Sequence, residues 1–241
     1  MTVSSSTTTS IHPVAVLLEL FKRQDWQSIR TLIEVSSPDC FRNMARSISL
    51  YAEHRLKGMT LLHVIARGNP PSDILCYLIK LCPEMAATRD DLGRCPLHIA
   101  ACSEASPLLL KLIARAYPAA CDAQDKDGRT PLHFLCDTSA TLFAEEVMPS
   151  TPQHRKKLNH DAIVALLSES PNAAAIEDDN EMSPLEHAIM CDASLVTVKL
   201  LQHSASESLR SRRARPVSSD LVTNKRRRVS ILPEDALIAL R

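Results

Sequence analysis

A four-residue motif that recurs along the chain constrains its fold more than any other feature. The clearest copy is Thr-Pro-Leu-His at residues 130–133, and related copies are Cys-Pro-Leu-His at 95–98, Thr-Leu-Leu-His at 60–63 and Ser-Pro-Leu-Glu at 183–186. The first three copies are 35 residues apart, and the fourth follows the third after 53 residues. Such a period is typical of proteins built from stacked supersecondary units, in which each unit buries its apolar side against its neighbours.

The residues around the third copy predict a turn followed by a helix. Asp125 and Gly128 supply turn chemistry, because an Asp side chain bonds the local backbone and Gly takes positive φ without strain. Thr130 suits a helix N-cap, and Pro131 suits the first helical position. In the second repeat a further helix is predicted over residues 106–117, where Leu and Ile recur at helical spacing. The sequence therefore predicts an all-α fold of paired helices joined by turns.

The motif, with its upstream Asp and Gly, resembles the ankyrin-repeat family, and the Tyr-Pro-Ala-Ala ending at residues 117–120 is similar to ankyrin proteins of unicellular algae. The resemblance implies an ankyrin solenoid of about four repeats, each a helix-turn-helix unit with a short hairpin finger. It also implies a monomeric, non-catalytic protein that binds a protein partner on its concave face. The motif histidines, His63, His98 and His133, are then expected to tie neighbouring repeats together by hydrogen bonding.

The fourth copy departs from the motif. Glu181 stands at the Gly position and Glu186 at the His position, and Ser183 with Glu186 matches a Ser-x-x-Glu capping box. The 18 additional residues between copies three and four are placed near residues 140–158, between the two helices of the third repeat. Two interpretations of this insertion stay open, a partner-binding loop or a tolerated surface loop.

We expect four segments along the chain. They are a disordered N-terminus (1–11), degenerate capping helices (12–57, with helices at 13–24 and 26–34 joined at the N-cap Asp25), ankyrin repeats (58–203) and a disordered basic tail (204–241). The chain carries no net charge, but the tail has nine basic and four acidic residues, so the rest is acidic. Neither a secretory signal nor a membrane-spanning apolar run is recognised, and eight cysteines without a C-x-x-C pattern fit reduced thiols. These observations favour a nuclear or cytoplasmic protein without a membrane partner.

The sequence gives no support to enzymatic chemistry. Four glycines leave no phosphate-binding loop, and neither Gly-x-Ser-x-Gly nor His-Glu-x-x-His occurs. Cys95, His98 and Cys102 could share one helix face as metal ligands, but structural zinc needs four ligands and no matching second pair follows. We therefore expect no catalytic residue, no cofactor and no metal.

Ankyrin-family proteins usually bind their partners through the hairpin tips and the exposed side of the first helices. The matching positions here are ones that the fold does not dictate, and an ordinary solvated rim is the alternative interpretation. Their mixed charges predict a polar, electrostatically steered contact. The predicted partner-binding residues are Arg89, Asp91, Leu92, Arg94, Cys102, Ser103, Gln124, Lys126, Asp127, Arg129, Asp137 and Thr138.

The tail carries two basic clusters that resemble a bipartite nuclear import signal, which makes an import receptor a candidate partner. A solvated charge run is one alternative. Phosphate contact with nucleic acid is another, although the tail offers no aromatic residue for base stacking. Ser230 follows the second cluster and is a candidate for phosphorylation by a basophilic kinase, which would mask the positive charge. The import candidates are Arg212, Arg213, Lys225, Arg226, Arg227 and Arg228.

Residues 231–240 are apolar apart from Glu234 and Asp235 at their centre, and Pro233 suits the start of a short helix. This segment is interpreted either as a docking peptide or as a frayed terminus. For the whole chain, the leading hypothesis is a protein-interaction scaffold or adaptor. The alternative from another class is a nucleic-acid-associated regulator whose tail contacts phosphates.

Overall fold

The computed structural model describes residues 13–51, 58–140 and 157–214, and within these ranges the chain forms helices and turns but no strand. The expected all-α class is confirmed for this part of the chain. Among its helices, not one combines the length and the apolar character that a bilayer crossing requires. The helices are α1 (Pro13–Lys22), α2 (Trp26–Val35), α3 (Pro38–Tyr51), α4 (Leu61–Arg67), α5 (Ser72–Leu81), α6 (Pro96–Cys102), α7 (Pro107–Ala116), α8 (Pro131–Cys136), α9 (His160–Glu169), α10 (Pro184–Met190) and α11 (Leu195–Ala214).

Helices α1 to α3 form the N-terminal unit. Helix α1 packs against α2 and α3, and α3 contacts α4, the first helix of the repeats. The predicted N-cap is confirmed, because the Ser28 amide donates to the Asp25 carboxylate at 3.0 Å and α2 begins at the next residue, Trp26. Helices α1 and α2 therefore lie close to their predicted positions, whereas α3 was not predicted as a separate helix. The predicted disorder of residues 1–11 concerns residues outside the described ranges.

Four helix pairs follow, and each motif copy starts the first helix of a pair. The first helices α4, α6, α8 and α10 contact one another in chain order, and so do the second helices α5, α7 and α9. A 3₁₀ turn that begins with proline follows each of the first three second helices, at Pro83–Ala86, Pro118–Ala120 and Pro171–Ala175. Leucine, isoleucine and alanine side chains between the pairs make one continuous buried core.

A buried histidine joins each of the first three pairs to the pair after it. In the third pair the Thr130 amide donates to His133 Nδ1 at 3.0 Å, and His133 Nε2 donates to the Met182 carbonyl at 3.1 Å. His63 makes the same two bonds, to the Thr60 amide at 3.1 Å and to the Arg94 carbonyl at 3.0 Å. His98 accepts from the Cys95 amide at 3.1 Å and reaches two carbonyls of the next pair, at 3.1 Å each. The predicted role of the motif histidines is therefore confirmed.

These bonds fix the protonation state of the three imidazoles. An amide N–H can only donate, so each Nδ1 must accept, and the single proton of the neutral ring lies on the Nε2 that donates to a carbonyl. Protonating Nδ1 would place two donors against each other. Burial acts in the same direction, since it lowers the pKa of His63, His98 and His133 to about 4 in each case.

Helix α11 continues through Ala214, well beyond the predicted boundary at residue 203. Leu201, Ser204 and Ser208 are buried along one face of it, and this helix packs against the turn Pro171–Ala175. The Ser208 hydroxyl donates to Asn172 Oδ1 at 2.9 Å in that contact. The prediction of a disordered tail is therefore wrong for residues 204–214, while residues 215–241 lie outside the described ranges.

The added residues of the third repeat lie between its two helices, as predicted. Helix α8 ends at Cys136, α9 begins at His160, and most of the intervening segment (141–156) falls outside the described residues.

Candidate functional site: the hairpin tips

The hairpins before α6, α8 and α10 are each built by an aspartate whose carboxylate bonds the backbone of its own turn. The Asp90 amide donates to the Arg94 carbonyl at 2.9 Å, and the Asp90 carboxylate accepts from the amides of Leu92 (3.0 Å) and Arg94 (2.8 Å). Gly93 closes this turn at a φ of +77°, which an L-residue with a side chain rarely adopts. Asp125 and Asp178 organise the next two hairpins in the same way.

Consecutive hairpins are bonded to each other. The Lys126 amide donates to the Leu92 carbonyl at 2.9 Å, and the Asp179 amide donates to the Asp127 carbonyl at 3.1 Å. These backbone bonds place one tip beside the next at a fixed spacing, so side chains on neighbouring tips form one continuous surface.

Two of the predicted partner-binding residues complete this connection between hairpins. Arg89 Nη1 donates to the Gln124 carbonyl at 2.6 Å, and Gln124 Nε2 donates to the Glu177 carbonyl at 3.0 Å. Arg89 Nη1 and Gln124 Nε2 therefore already help to hold the tips together, although both residues are exposed.

The tip residues Asp91, Leu92, Lys126 and Asp127 are exposed, as a partner-binding role requires. One hairpin contributes Asp91 and Leu92 and the next contributes Lys126 and Asp127, so acidic, apolar and basic side chains lie on two adjacent tips. They form the part of the predicted site that is accessible, and we refer to these four residues as the tip surface.

Three predicted partner-binding residues are instead buried, and their prediction as surface contacts is wrong. Arg94 is 4% exposed and forms an ion pair of 2.8 Å with Asp90. Cys102 is 1% exposed, and its thiol donates to the Ala140 carbonyl at 3.6 Å. Asp137 is also buried and pairs with Arg129 at 3.3 Å. Arg94 and Asp137 are held by partners within their own repeats, whereas Cys102 is covered by the next repeat.

The remaining predicted residues are half-buried. Arg129 lies over the ring of Phe134 at 5.9 Å, a cation–π arrangement that holds the guanidinium against α8. Ser103 Oγ is buried and has no hydrogen-bond partner. Thr138 donates its amide to Cys191 Sγ at 3.3 Å, which again joins one repeat to the next.

A depression lies at the ends of α6 and α8. Sequence reasoning missed its exposed residue Glu104, whereas Lys157 belongs to the insertion near residues 140–158, for which a partner-binding loop was one interpretation. Glu104 and Lys157 contribute opposite charges to its rim, while Ala105 and Phe134 contribute apolar surface. Glu104 does not belong to the recurring motif, so the period that identified the hairpins gave no signal for it.

A buried cluster of His133, Asp178 and His187 joins the third and fourth repeats. The possible ligand atoms of these three residues all lie within 4.8 Å of one another, which is close enough for them to bind one metal ion. However, His187 Nε2 bonds the Asp178 carboxylate at 2.9 Å, and His133 Nε2 carries its proton toward the Met182 carbonyl. A ligating imidazole nitrogen must be free of a proton, so these residues fit an internal hydrogen-bond network better than a metal centre.

The cluster also shows what replaces the motif histidine in the fourth repeat. Ser183 and Glu186 make the predicted capping box, in which Glu186 Oε2 accepts from the Ser183 amide at 2.7 Å. In the fourth repeat the histidine stands one position later in the sequence, at His187, and its ring packs edge-on against the His133 ring at 5.5 Å. Asp178, which organises the hairpin, has its pKa lowered by the hydrogen bond from His187 against the opposing effect of burial.

The metal interpretation of the second repeat is also disfavoured by geometry. Both nitrogens of His98 are used in the bonds described above, and Cys102 points its thiol toward Ala140 instead of toward Cys95. Burial raises the pKa of the Cys95 thiol, so it is held as a neutral thiol and not as the thiolate that a metal ligand requires.

The predicted import residues fall in two places. Arg212 and Arg213 lie in the last turn of α11. Residues 225–228 and Ser230 lie outside the described ranges, so import and phosphorylation stay predictions.

Replacing the glycines of two hairpins should give unequal losses of stability. Gly93 and Gly128 both have positive φ, so alanine should cost roughly 1–2 kcal/mol of unfolding free energy at either position. A Cβ on Gly128 would also approach the Asp179 amide nitrogen to 2.7 Å, whereas a Cβ on Gly93 meets its nearest atom, the Lys126 nitrogen, at 3.3 Å. We expect Gly128→Ala to lower the urea midpoint more than Gly93→Ala. Equal losses would mean that the two hairpins do not differ in how closely they pack.

Glycine at the matching position of the fourth hairpin should increase stability. Glu181 adopts a φ of +61° where the second and third hairpins have glycine. Glu181→Gly should therefore raise the unfolding free energy by about 0.5–1 kcal/mol, measured by urea denaturation. Glu177→Gly is the matched control, because Glu177 is exposed in the same hairpin without positive φ, and glycine there should destabilise. If Glu181→Gly instead lowered the unfolding free energy, the positive φ of Glu181 would not be a source of strain.

Comparison with known proteins gives no further guide to the class of this chain. No model of a known protein family matches the sequence, and no curated protein matches it.

Proposed function

We propose that the chain is an ankyrin-repeat protein that works as a non-catalytic scaffold, binding a protein partner through the tip surface. The ankyrin assignment is supported by the helix pairs, the aspartate-built hairpins and the histidine bonds, all at the motif positions. It acts in the nucleus or the cytoplasm in this proposal.

One observation carries the proposed site. Asp91, Leu92, Lys126 and Asp127 are exposed, while the hairpins beneath them are bonded to one another through backbone and side-chain groups. A partner would therefore meet side chains whose backbone is already ordered. Preorganisation of this kind lowers the entropic cost of association.

The polar character of the tip surface favours recognition by charge complementarity over apolar burial. Within one tip, Lys126 and Asp127 place opposite charges next to each other, and Asp91 adds a second acidic group on the neighbouring tip. Such patterns mainly determine specificity and the rate of association.

A charge swap tests this proposal. Lys126→Glu/Asp127→Lys keeps the net charge and reverses the local pattern, so a partner captured from native extract by the wild type should bind the variant at least about tenfold more weakly. Glu19→Lys/Lys22→Glu on α1 is the control, because it swaps charges between exposed residues far along the chain from the hairpins.

Both variants must keep the wild-type helical circular dichroism and thermal midpoint. If the swap on the tip weakens capture and the swap on α1 does not, the tip surface is the binding site. Undiminished capture by the tip variant would contradict the proposal and direct attention to the depression near Glu104 and Lys157.

A further inference from the structure

The last helix pair leaves apolar side chains exposed that the earlier pairs cover. The residue six positions after the motif cap lies near the end of each first helix. Ala101 and Cys136 occupy this position in α6 and α8 and are 3% and 0% exposed, whereas Ile189 in α10 is 53% exposed. The next residue follows the same trend, since Met190 is 73% exposed.

The cover on the earlier pairs comes from the next repeat in the chain. The end of α6 is covered where the Cys102 thiol meets Ala140, and the end of α8 is covered where the Thr138 amide meets Cys191. No further repeat follows α10 and α11 in the described part of the chain. Leu195, at the start of α11, adds to the exposed apolar surface, which we call the end corner (Ile189, Met190 and Leu195).

A terminal repeat usually has a polar outer face, because apolar surface that no neighbour covers is unfavourable in water. The end corner breaks this pattern. An apolar segment that covered the end corner would remove this surface from water and so lower the free energy of the folded chain.

Residues 233–240 carry the sequence pattern of a second helix without the rest of a repeat. In α5 and the residue before it, Pro71, Asp73, Leu75 and Leu78 define the pattern, and both leucines are buried. Aligning Pro233 with Pro71 brings an aspartate and two leucines of the tail to the same positions, Asp235, Leu237 and Leu240. In α5 these leucines belong to a helix that packs against the second helix of the adjacent repeat, α7.

The chain is long enough for this segment to return to the end corner. Helix α11 has 20 residues, so its end lies about 30 Å from its start. Residues 215–232 follow α11, and these 18 residues can span up to about 60 Å when extended. We propose that residues 233–240 dock on the end corner of the same chain and act as its terminal cap.

Photocrosslinking of the full chain tests this proposal. A benzophenone amino acid in place of Met190 should form, on irradiation, crosslinks within the monomer to residues 233–240, which peptide mass spectrometry identifies. The same amino acid in place of Val164, an exposed residue of α9, is the matched control and should give no crosslink to that segment.

A second variant separates docking from accidental proximity. Leu237→Asp/Leu240→Asp should abolish the crosslink from position 190 and leave the helical circular dichroism unchanged. Persistence of the crosslink in this variant, crosslinks that join two chains, or the lack of any crosslink to residues 233–240 would each overturn the proposal. None of these results depends on whether the tip surface binds a partner.

Discussion

Acidification from pH 7 to pH 5 should remove a large part of the stability of this protein. The pKa of His63, His98 and His133 is lowered to about 4 in the folded chain, against about 6.5 in an unfolded one. A histidine with a lowered folded pKa contributes stability that is fully present above the unfolded pKa and is lost as the pH falls from 6.5 toward 4, because only the unfolded state takes up the proton. At pH 5 this amounts to roughly 2 kcal/mol for each histidine, or about 6 kcal/mol for the three.

The pH range separates this effect from that of the carboxylates with lowered pKa values, while burial raises the pKa of Asp125, whose contribution to stability therefore increases as the pH falls. Asp137 and Asp178 have lowered pKa values and so lose their contributions only below the ordinary aspartate range. Urea denaturation at pH 7, 6 and 5 measures the effect, and the slope should diminish in His98→Gln. His203→Gln is the control, because the His203 side chain is 72% exposed, and this variant should keep the wild-type slope. An unfolding free energy that stays constant from pH 7 to pH 5 would contradict the neutral, buried state of the motif histidines.

Arg94→Ala should destabilise the protein by about 3–5 kcal/mol, because it leaves the carboxylate of Asp90 buried without its cation. Two amides would still donate to that carboxylate, which places the expected loss toward the lower end of this range. Thermal or urea denaturation of the purified variant measures the loss.

The matched control for this prediction is an exposed ion pair. Arg30 bonds Asp73 at 2.7 Å, but the two side chains are 37% and 58% exposed to solvent, which screens the pair, so Arg30→Ala should cost less than about 1 kcal/mol. If Arg94→Ala proved as mild as Arg30→Ala, the Asp90–Arg94 pair would have to be accessible to water. Because Arg94 supports the hairpin, its variants are unsuitable for mapping a partner.

The regular parts of the fold could be predicted from the sequence because they depend on local signals. The capping residues Asp25 and Ser183 start helices where turn chemistry and helical periodicity indicate, and the motif histidines recur at a period that identifies neighbouring repeats. A period is a property of the whole stack, so each copy supports the interpretation of the others.

The length of α11 could not be predicted in this way. The face that buries the helix contains Leu201, Ser204 and Ser208, and two of these three are small polar residues that do not register as an apolar stripe. Their size allows close approach to the turn Pro171–Ala175, and a hydrogen bond to Asn172 satisfies one hydroxyl. The neighbouring arginines made the same segment look like part of a solvated tail.

Only part of the candidate site could likewise be predicted from the sequence. Lys126 and Asp127 were placed correctly at the surface, because a tight turn leaves its central side chains pointing outward. Arg94 turns back to Asp90 in its own hairpin, Cys102 points toward Ala140 of the next repeat, and the positions taken from the family motif indicated neither direction. Recognising the cluster around His187 would have required knowing that a histidine one position out of register reaches the same junction.

The longer spacing of the third repeat offers a place for molecular labelling. Helices α8 and α9 pack on their neighbours through residues 131–140 and 157–169, and the bonds from His133 and Thr138 to the fourth repeat lie in the same ranges. None of these contacts uses residues 141–156. An affinity epitope or a fluorescent reporter inserted in that segment would leave the described contacts in place, so the protein could be followed in living cells with both the tip surface and the end corner unaltered.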